Sequence, residues 1–487
     1  MNDFGGENLM KSVAIEHVML RSGVHFGTSG IRGLVNEMTD GVCYAYAAAF
    51  LQAVAGDAEQ VVLGHDLRPS SPRISGACAA AIRNSGRQVL YAGALPTPAL
   101  AFYAAQIGAP AIVVTGSHIP FDRNGIKFYR ADGEISKADE QVIANASVAV
   151  PDEVTAVALP APHDIVRVSY INRYVDFFGA GSLSGFKVAI YEHSSVARDV
   201  LRLIFEGLGA QVISLGRADI FVPIDTEAVR DEDVIQARLW AQENTFDAIV
   251  STDGDADRPL IGDEKGEWLR GDVAGILCAQ YLQAKVVVTP VSSNTAVEKC
   301  NSFRQVIRTR IGSPYVIAAM ESVPVQAGSV VVGYEANGGF LLGSDVLRQG
   351  CRLAALPTRD AVLPMLALLC LSRERGCKLS QLSRNLPARF TASDRLQNFA
   401  SERSSALIAR LLEDSSLMSK MLAPQAGGVK NIDQTDGLRV TFESGDIVHL
   451  RPSGNAPELR CYAEADSAGR AKKLCDECLD SVQSTLG

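Results

Sequence analysis

Ala111-Ile-Val-Val114 runs directly into Thr115-Gly-Ser-His-Ile-Pro-Phe-Asp-Arg-Asn-Gly-Ile-Lys-Phe-Tyr129. Four consecutive apolar residues that stop at a glycine read as a buried strand, so Ser117 and His118 are expected where that strand ends. Open α/β sheets build their sites there. A serine on a Gly- and Pro-bounded loop, with His118, Arg123 and Lys127 close behind, fits a nucleophile or a phosphate carrier in a cationic pocket. The same residues also fit an ordinary strand-to-helix turn, in which Gly116 and Ser117 serve only the backbone.

On either side, apolar strands alternate with helical patterns. Residues 40–55 have helical spacing and 61–68 form a strand ending in polar residues. A helix starts at 69–71 and runs to about 85, followed by a strand at 88–92, a Pro-Thr-Pro turn at 96–98 and a helix at 99–106. Residues 150–166, rich in Pro, Ala and charge, read as a linker. Beyond it come strands at 187–191, 211–215 and 247–251, with helices at 196–208 and 231–244. A third segment begins near Trp268, with strands at 285–289 and 329–333, helices at 294–301 and 315–322, and a basic turn, Arg308-Thr-Arg310, ahead of the second helix. Helical segments lie around Leu363 and Leu379. The pattern then changes to a helix at 402–420, strands at 437–443 and 446–450, and a final helix at 467–486. This alternation implies parallel or mixed sheets with helices on their faces.

A chain of 487 residues, 47% hydrophobic, exceeds what a single core organises, so several domains are expected. The net charge of -9 and the lack of any Lys/Arg-rich block argue against nucleic acid as a partner. Residues 1–20 lack the apolar core of a signal peptide. The longest apolar run, 361–371, is about half the length that crosses a bilayer and contains Pro364. A cytoplasmic protein with no membrane partner is expected. The ten cysteines then read as free thiols. Cys475 and Cys478 lie in a helical pattern with no second pair at zinc-site spacing.

Three further loops carry chemistry. Asp253, Asp255 and Asp257 alternate with Gly254 and Ala256 in a loop that directly follows a strand. Three carboxylates that close together repel one another without a cation, and hard oxygen donors suit Mg²⁺. A helix-loop-helix calcium site is excluded, because a strand precedes the loop and Arg258 stands where that motif needs glycine. Phe26-Gly-Thr-Ser-Gly-Ile-Arg32-Gly33 has the composition of an anion-approaching loop, and equally of a plain turn. Glu335 and Asn337 alternate in a Gly-bounded loop and can hydrogen-bond vicinal hydroxyls. Arg451, Ser453, Asn455 and Arg460, with the backbone N–H of Gly454, make an oxyanion clamp or, as the bland alternative, a hairpin with paired arginines.

Taken in this order, the four loops resemble those of the α-D-phosphohexomutase family, which includes phosphomannomutases, phosphoglucomutases and phosphoglucosamine mutases. The resemblance spans the chain from Phe26 to the last helix. It implies three mixed α/β domains around a central cleft plus a smaller α+β C-terminal domain, at residues 1–160, 161–265, 266–385 and 386–487. By resemblance Ser117 is the phosphoserine, and Asp253, Asp255 and Asp257 are Mg²⁺ ligands with the seryl phosphate. Arg32, His118, Lys127 and Arg258 surround the reacting phosphoryl group, and Lys127 or His118 is the general acid/base. Glu335, Asn337 and Arg310 bind substrate, while Arg451, Ser453, Gly454, Asn455 and Arg460 hold its non-reacting phosphate.

The implied reaction interconverts hexose 1-phosphate and hexose 6-phosphate, through a hexose 1,6-bisphosphate that also serves as activator. The chain departs from the family's patterns at three loops; in the basic turn Ser313-Pro314 stands where some mannose/glucose members have a histidine. Asn455 and Ala456 replace a commoner Thr-Glu, and Glu335-Ala-Asn337-Gly is similar to the loop of N-acetylglucosamine-phosphate mutases. The serine loop looks most like that of bacterial phosphomannomutases, so mannose is the expected sugar, with glucose, glucosamine or N-acetylglucosamine as alternatives. The rival readings are a serine-dependent metal phosphatase and an idle sugar-phosphate binding protein. A monomer or homodimer is expected.

Overall fold

The structure, a computed structural model, describes residues 10–27, 30–324, 328–453 and 457–486. They fall into two compact units, each built from two segments of chain. The first comprises Met1–Leu282 with Asn337–Leu382, and the second Gln283–Ala336 with Ser383–Gly487. The stretch 266–385 therefore contributes to both.

In the first unit, the apolar strand Ala111–Val114 lies inside a mixed sheet, parallel to Gln60–His65, which is itself parallel to Gln88–Ala94. All four of its residues are buried, as expected of a strand covered on both faces. The chain does not continue into a helix, as the turn reading would have it. It returns antiparallel as the strand Arg123–Arg130, because Ile126 and Phe128 alternate into the same core as Ile112 and Val114. Arg32 is likewise on a strand, Gly30–Leu34, opposite Gly125, rather than on an open loop. A Cβ at Gly125 would lie 2.5 Å from the Ile31 carbonyl oxygen, so this pairing requires glycine.

A second sheet in this unit orders Gln211–Arg217, Lys187–His193 and Ala248–Thr252 in parallel, then Pro259–Gly262 antiparallel to the last of them. The aspartate loop is thus the connection of a hairpin, as the serine loop is. Four helices were not read from the sequence, Ile15–Ser22, Lys137–Ala144, Ile165–Phe178 and Gly271–Tyr281. The linker is also shorter than 150–166. Ser147–Pro151 pairs with Met10–Ala14, and Val154, Val157 and Leu159 pack on the core.

The second unit contains three parallel strands, Gln305–Thr309, Val286–Pro290 and Val331–Tyr334. It also holds a five-stranded antiparallel sheet ordered Phe390–Gln397, Glu458–Ala465, Ile447–Pro452, Leu438–Phe442 and Val429–Asp433. Helix Ala468–Leu486 buries Leu474, Cys475, Cys478 and Val482 in the core of that sheet. The expected helix at 402–420 is two helices, Ser401–Glu413 and Ser415–Leu422. Asp414 breaks it: its backbone is extended, and its carboxylate caps the second helix by accepting from the Ser416 and Leu417 N–H groups, 2.9 Å each.

Candidate active site

Ser117 is 1% exposed and adopts φ 52°, the left-handed region that non-glycine residues rarely occupy. Its N–H donates to Thr115 Oγ1 at 2.8 Å. The Ser117 hydroxyl donates to Asp253 Oδ2 and lies 3.2 Å from His118 Nδ1. The two hairpin loops therefore meet at the serine oxygen. In the aspartate loop the left-handed residue is Ala256, φ 60°. That turn, closed by Asp253 N–H donating to the Arg258 carbonyl at 3.2 Å, folds the alternate carboxylates inward.

One oxygen each of Asp253, Asp255 and Asp257 lies within 4.8 Å of the others, and all three residues are buried. Asp255 Oδ1 has no hydrogen-bond partner among the described residues. Asp257 Oδ1 likewise has none among them and lies 3.6 Å from Arg258 Nε. Orphaned buried carboxylate oxygens are costly unless a cation takes them up, and an all-oxygen donor set of this kind fits Mg²⁺.

Cations surround these carboxylates. Lys127 alternates with core-facing Ile126 and Phe128, so its side chain leaves the opposite face of the sheet. Its Nζ donates to Asp255 Oδ2 and Asp257 Oδ2 at 2.6 Å each. Arg359, on the strand Leu356–Asp360, donates to Asp257 Oδ2 through Nε at 3.0 Å and approaches it through Nη2 at 2.8 Å. Arg258 Nη1 lies 3.0 Å from His118 Nδ1. Thr97, opening the helix Thr97–Ile107, donates its hydroxyl to Asp255 Oδ2 at 2.5 Å and its N–H to the Asp255 carbonyl at 2.9 Å.

Proton affinities follow this arrangement. Burial and the neighbouring Asp255 and Asp257 push Asp253 well above the usual carboxylate range. Burial would raise Asp257 too, but Arg359, Lys127 and Arg258 outweigh it and hold the carboxyl far down. Burial opposes the Lys127 charge, yet Asp255 and Asp257 win and raise its pKa, so the amine stays protonated. His118 is held well below its ordinary value by burial and by Arg258. The half-buried Arg32 is lowered to about 10 by burial, with Arg258 and Arg359 repelling it. The cluster thus combines an imidazole whose protonation is disfavoured, a lysine whose charge is favoured, and arginines that an added anion would relieve.

The structure brings together Ser117, His118, Lys127, Arg258 and the three aspartates; Arg32 is close enough to feel their charges. Thr97 and Arg359 were missed by sequence reasoning. Thr97 sat in a Pro-Thr-Pro stretch that reads as a turn, and no motif surrounds Arg359. Asn337 belongs to the same unit: its carbonyl accepts from Thr226 Oγ1 at 2.6 Å and its side-chain oxygen from the Gly339 N–H at 2.9 Å. Glu335 is buried in the second unit.

Also in the second unit, Arg451 pairs with Asp436 at 2.9 Å. The adjoining residues reach the basic turn, where Arg310 Nε donates to the Thr435 carbonyl at 3.1 Å and the Ile311 N–H to Asp436 Oδ2 at 2.9 Å. Arg451 stands directly opposite Arg460, and Arg460 opposite Arg395. Like charges facing one another across strands are destabilising; here Asp436 lies beside Arg451, and Glu458 is 3.6 Å from both Arg395 and Arg460. Ser453 is buried. Gly454 and Asn455 lie outside the described residues.

Phosphoryl transfer suits the first-unit cluster, since it demands a positioned oxygen and neutralised charge more than a strong nucleophile. Comparison with known proteins agrees. Residues 23–150, 270–390 and 405–481 match, in turn, phosphoglucomutase/phosphomannomutase alpha/beta/alpha domain I, alpha/beta/alpha domain III and C-terminal domain. The chain is 47% identical to a phosphomannomutase of Salmonella muenchen, over 96% of this chain and 98% of that one. It is 44% identical to a phosphomannomutase of Sinorhizobium fredii, over 95% and 100%. Its fold is similar to that of a phosphoglucomutase/phosphomannomutase family protein from Burkholderia thailandensis (TM-score 0.72, 20% identity, 94% of this chain and 96% of that one). It is also similar to Aspergillus fumigatus N-acetylphosphoglucosamine mutase solved with GlcNAc-6P and magnesium (TM-score 0.58, 14% identity, 97% and 99%). The chain is a phosphosugar mutase, an isomerase. It belongs to the α-D-phosphohexomutase family.

Proposed function

We propose that this mutase interconverts mannose 1-phosphate and mannose 6-phosphate with Ser117 as the phosphoryl carrier. The observation that carries the Ser117 assignment is its buried hydroxyl, bonded to Asp253 within a cluster of three aspartates and surrounding cations. The sugar rests on the two relatives named phosphomannomutase at 47% and 44% identity. The Glu335-Ala-Asn337-Gly loop supports N-acetylglucosamine as the second reading.

In this reading phosphorylated Ser117 gives its phosphoryl group to the free hydroxyl of a hexose monophosphate. The bond to Ser117 Oγ breaks, a bond to the sugar oxygen forms, and the proton of that hydroxyl passes to a base. The resulting hexose 1,6-bisphosphate turns over and returns its other phosphoryl group to Ser117. It also recharges enzyme that has lost the phosphate, and so acts as activator. His118, held neutral by burial and Arg258, is the better base; Lys127, held protonated by two aspartates, supplies fixed charge. Arg32 and Arg258 take part of the charge that spreads over the moving phosphoryl group. Asp253, Asp255 and Asp257 would hold Mg²⁺ together with the seryl phosphate, and when bound the metal supplies Lewis-acid neutralisation of that charge. Arg310, Arg451, Ser453, Gly454, Asn455 and Arg460 grip the phosphate that is not reacting, and Glu335 and Asn337 take the sugar hydroxyls. Ten free thiols support a reducing, cytoplasmic setting.

Intact mass of the purified protein tests the carrier: a substoichiometric phosphate should be present and should disappear in Ser117→Ala. A panel of mannose, glucose, glucosamine and N-acetylglucosamine 1-phosphates tests the sugar. Release of free hexose and inorganic phosphate, with no 6-phosphate product, would sink the proposal.

A further inference from the structure

The strand Gln60–His65 leads into Asp66 and Arg68, polar residues with no part in the chemistry above. Both Asp66 and Arg68 are 1% exposed. Arg68 Nε donates to Asp66 Oδ2 at 3.2 Å. The rest of its guanidinium fork reaches four backbone carbonyls of the serine loop: Nη1 donates to Pro120 at 2.7 Å and Arg123 at 2.9 Å, and Nη2 to Ser117 at 2.9 Å and Ile119 at 2.5 Å. The Phe221 ring covers the guanidinium, 4.0 Å from Cζ to the centroid. Asp66 holds the other strand of the loop, accepting from Thr115 Oγ1 at 2.8 Å and the Gly116 N–H at 3.2 Å through Oδ2. Thr115 Oγ1 in turn accepts the Ser117 N–H.

We infer that the buried Asp66–Arg68 pair is the positioning device of the phosphoryl-carrying loop. This rests on the reading of Ser117 as carrier. The pair never touches Ser117 Oγ; it acts on the peptide groups at either side. Arg68 fixes the Ser117 carbonyl, and Asp66 fixes the Ser117 N–H through Thr115. Together they hold a non-glycine residue at φ 52°, a conformation that persists only when its surroundings over-determine it. That conformation aims the hydroxyl at Asp253. Two glycines are fitted to the device: a Cβ at Gly116 would lie 2.6 Å from Arg68 Cζ, and one at Gly254 would lie 2.9 Å from the Ser117 carbonyl oxygen. Only a planar fork with five donors serves Asp66 and four carbonyls at once, so lysine cannot replace it.

The test compares Arg68→Lys, Thr115→Val and Thr115→Ser with the wild-type protein. Each is assayed with mannose 1-phosphate and weighed intact after charging with mannose 1,6-bisphosphate, with circular dichroism confirming the fold. Arg68→Lys keeps the charge beside Asp66 but loses the fork. It should lower kcat by about 100-fold, leave KM within roughly threefold, and reduce phosphate on Ser117. Thr115→Val should lower kcat by about tenfold, and Thr115→Ser, which keeps the hydroxyl, should restore it. A mere staple would lower stability without splitting kcat from KM. Folded Arg68→Lys with wild-type kcat and phosphate overturns the inference. If Arg68→Lys does not fold, Thr115 decides, and equal kcat for the Val and Ser variants overturns it. Wild-type protein that takes up no phosphate, or Ser117→Ala that still does, defeats the carrier reading itself and is distinguishable from either result.

Discussion

Thr97→Val should weaken Mg²⁺ binding while leaving the loop in place. Asp255 Oδ2 receives two hydrogen bonds, from Thr97 Oγ1 at 2.5 Å and Lys127 Nζ at 2.6 Å, which turns Oδ1 out as the free oxygen. Valine has the shape of threonine and keeps the N–H that donates to the Asp255 carbonyl at 2.9 Å, so the change removes one hydroxyl and little else. A hydrogen bond to a charged group is worth about 1.5–3 kcal/mol. At about 1.4 kcal/mol per factor of ten, that is roughly a 10- to 100-fold rise in the metal's dissociation constant, the usual effect of losing a group that orients a ligand. Two measurements report it: the Mg²⁺ concentration for half-maximal mutase activity, and Mn²⁺ binding followed by electron paramagnetic resonance. Saturating metal should recover most of kcat, and Thr97→Ser should behave as wild type. If Thr97→Val matches wild type within about twofold in both assays, the hydroxyl does not orient Asp255 and the reasoning is wrong.

Other consequences are as direct. Gly254→Ala places a methyl group 2.9 Å from the Ser117 carbonyl oxygen and 3.2 Å from the Phe221 ring, so it should part the two loops and lower kcat by about 10- to 100-fold with little change in thermal midpoint, as steady-state kinetics and calorimetry will show. Arg359→Met removes both guanidinium approaches to Asp257. Breaking a buried pair in this way costs about 3–5 kcal/mol, read as a lower urea midpoint, and Arg359→Lys should recover part of it. His449 is pushed down to about 4, chiefly by burial. Between that value and the ordinary one near 6.5 the unfolded chain binds the extra proton, so stability rises with pH and is lost as pH falls through this window, by up to about 3 kcal/mol. His449→Gln should flatten the dependence of the thermal midpoint on pH between 6.5 and 4; an unchanged slope would show that His449 does not set it.

The candidate site residues were legible because each group is local. Ser117 follows a four-residue apolar strand at once, and Asp253, Asp255 and Asp257 occupy alternate positions in one loop. Periodicity likewise located most of the parallel strands, since a strand buried on both faces needs an unbroken apolar run, but few of the antiparallel ones. It missed Ile15–Ser22, Lys137–Ala144, Ile165–Phe178 and Gly271–Tyr281, and it merged two helices that the cap at Asp414 separates. It also left open whether the serine loop leads to a helix, because alternation in eight residues cannot say which partner strand they will find.

Sequence alone therefore determined which serine and which three aspartates are the candidates for phosphoryl carrier and metal ligands, and the mixed α/β class. Tertiary structure decided what each of these groups is bonded to. Lys127 meets Asp255 and Asp257 across 128 and 130 residues of chain, Arg359 meets Asp257 across 102, and Thr97 meets Asp255 across 158. Those pairings decide which way each proton affinity is pushed and which carboxylate oxygens are left free. Electrostatic energies depend on separations of a few ångströms and on burial, and neither quantity is a property of sequence spacing.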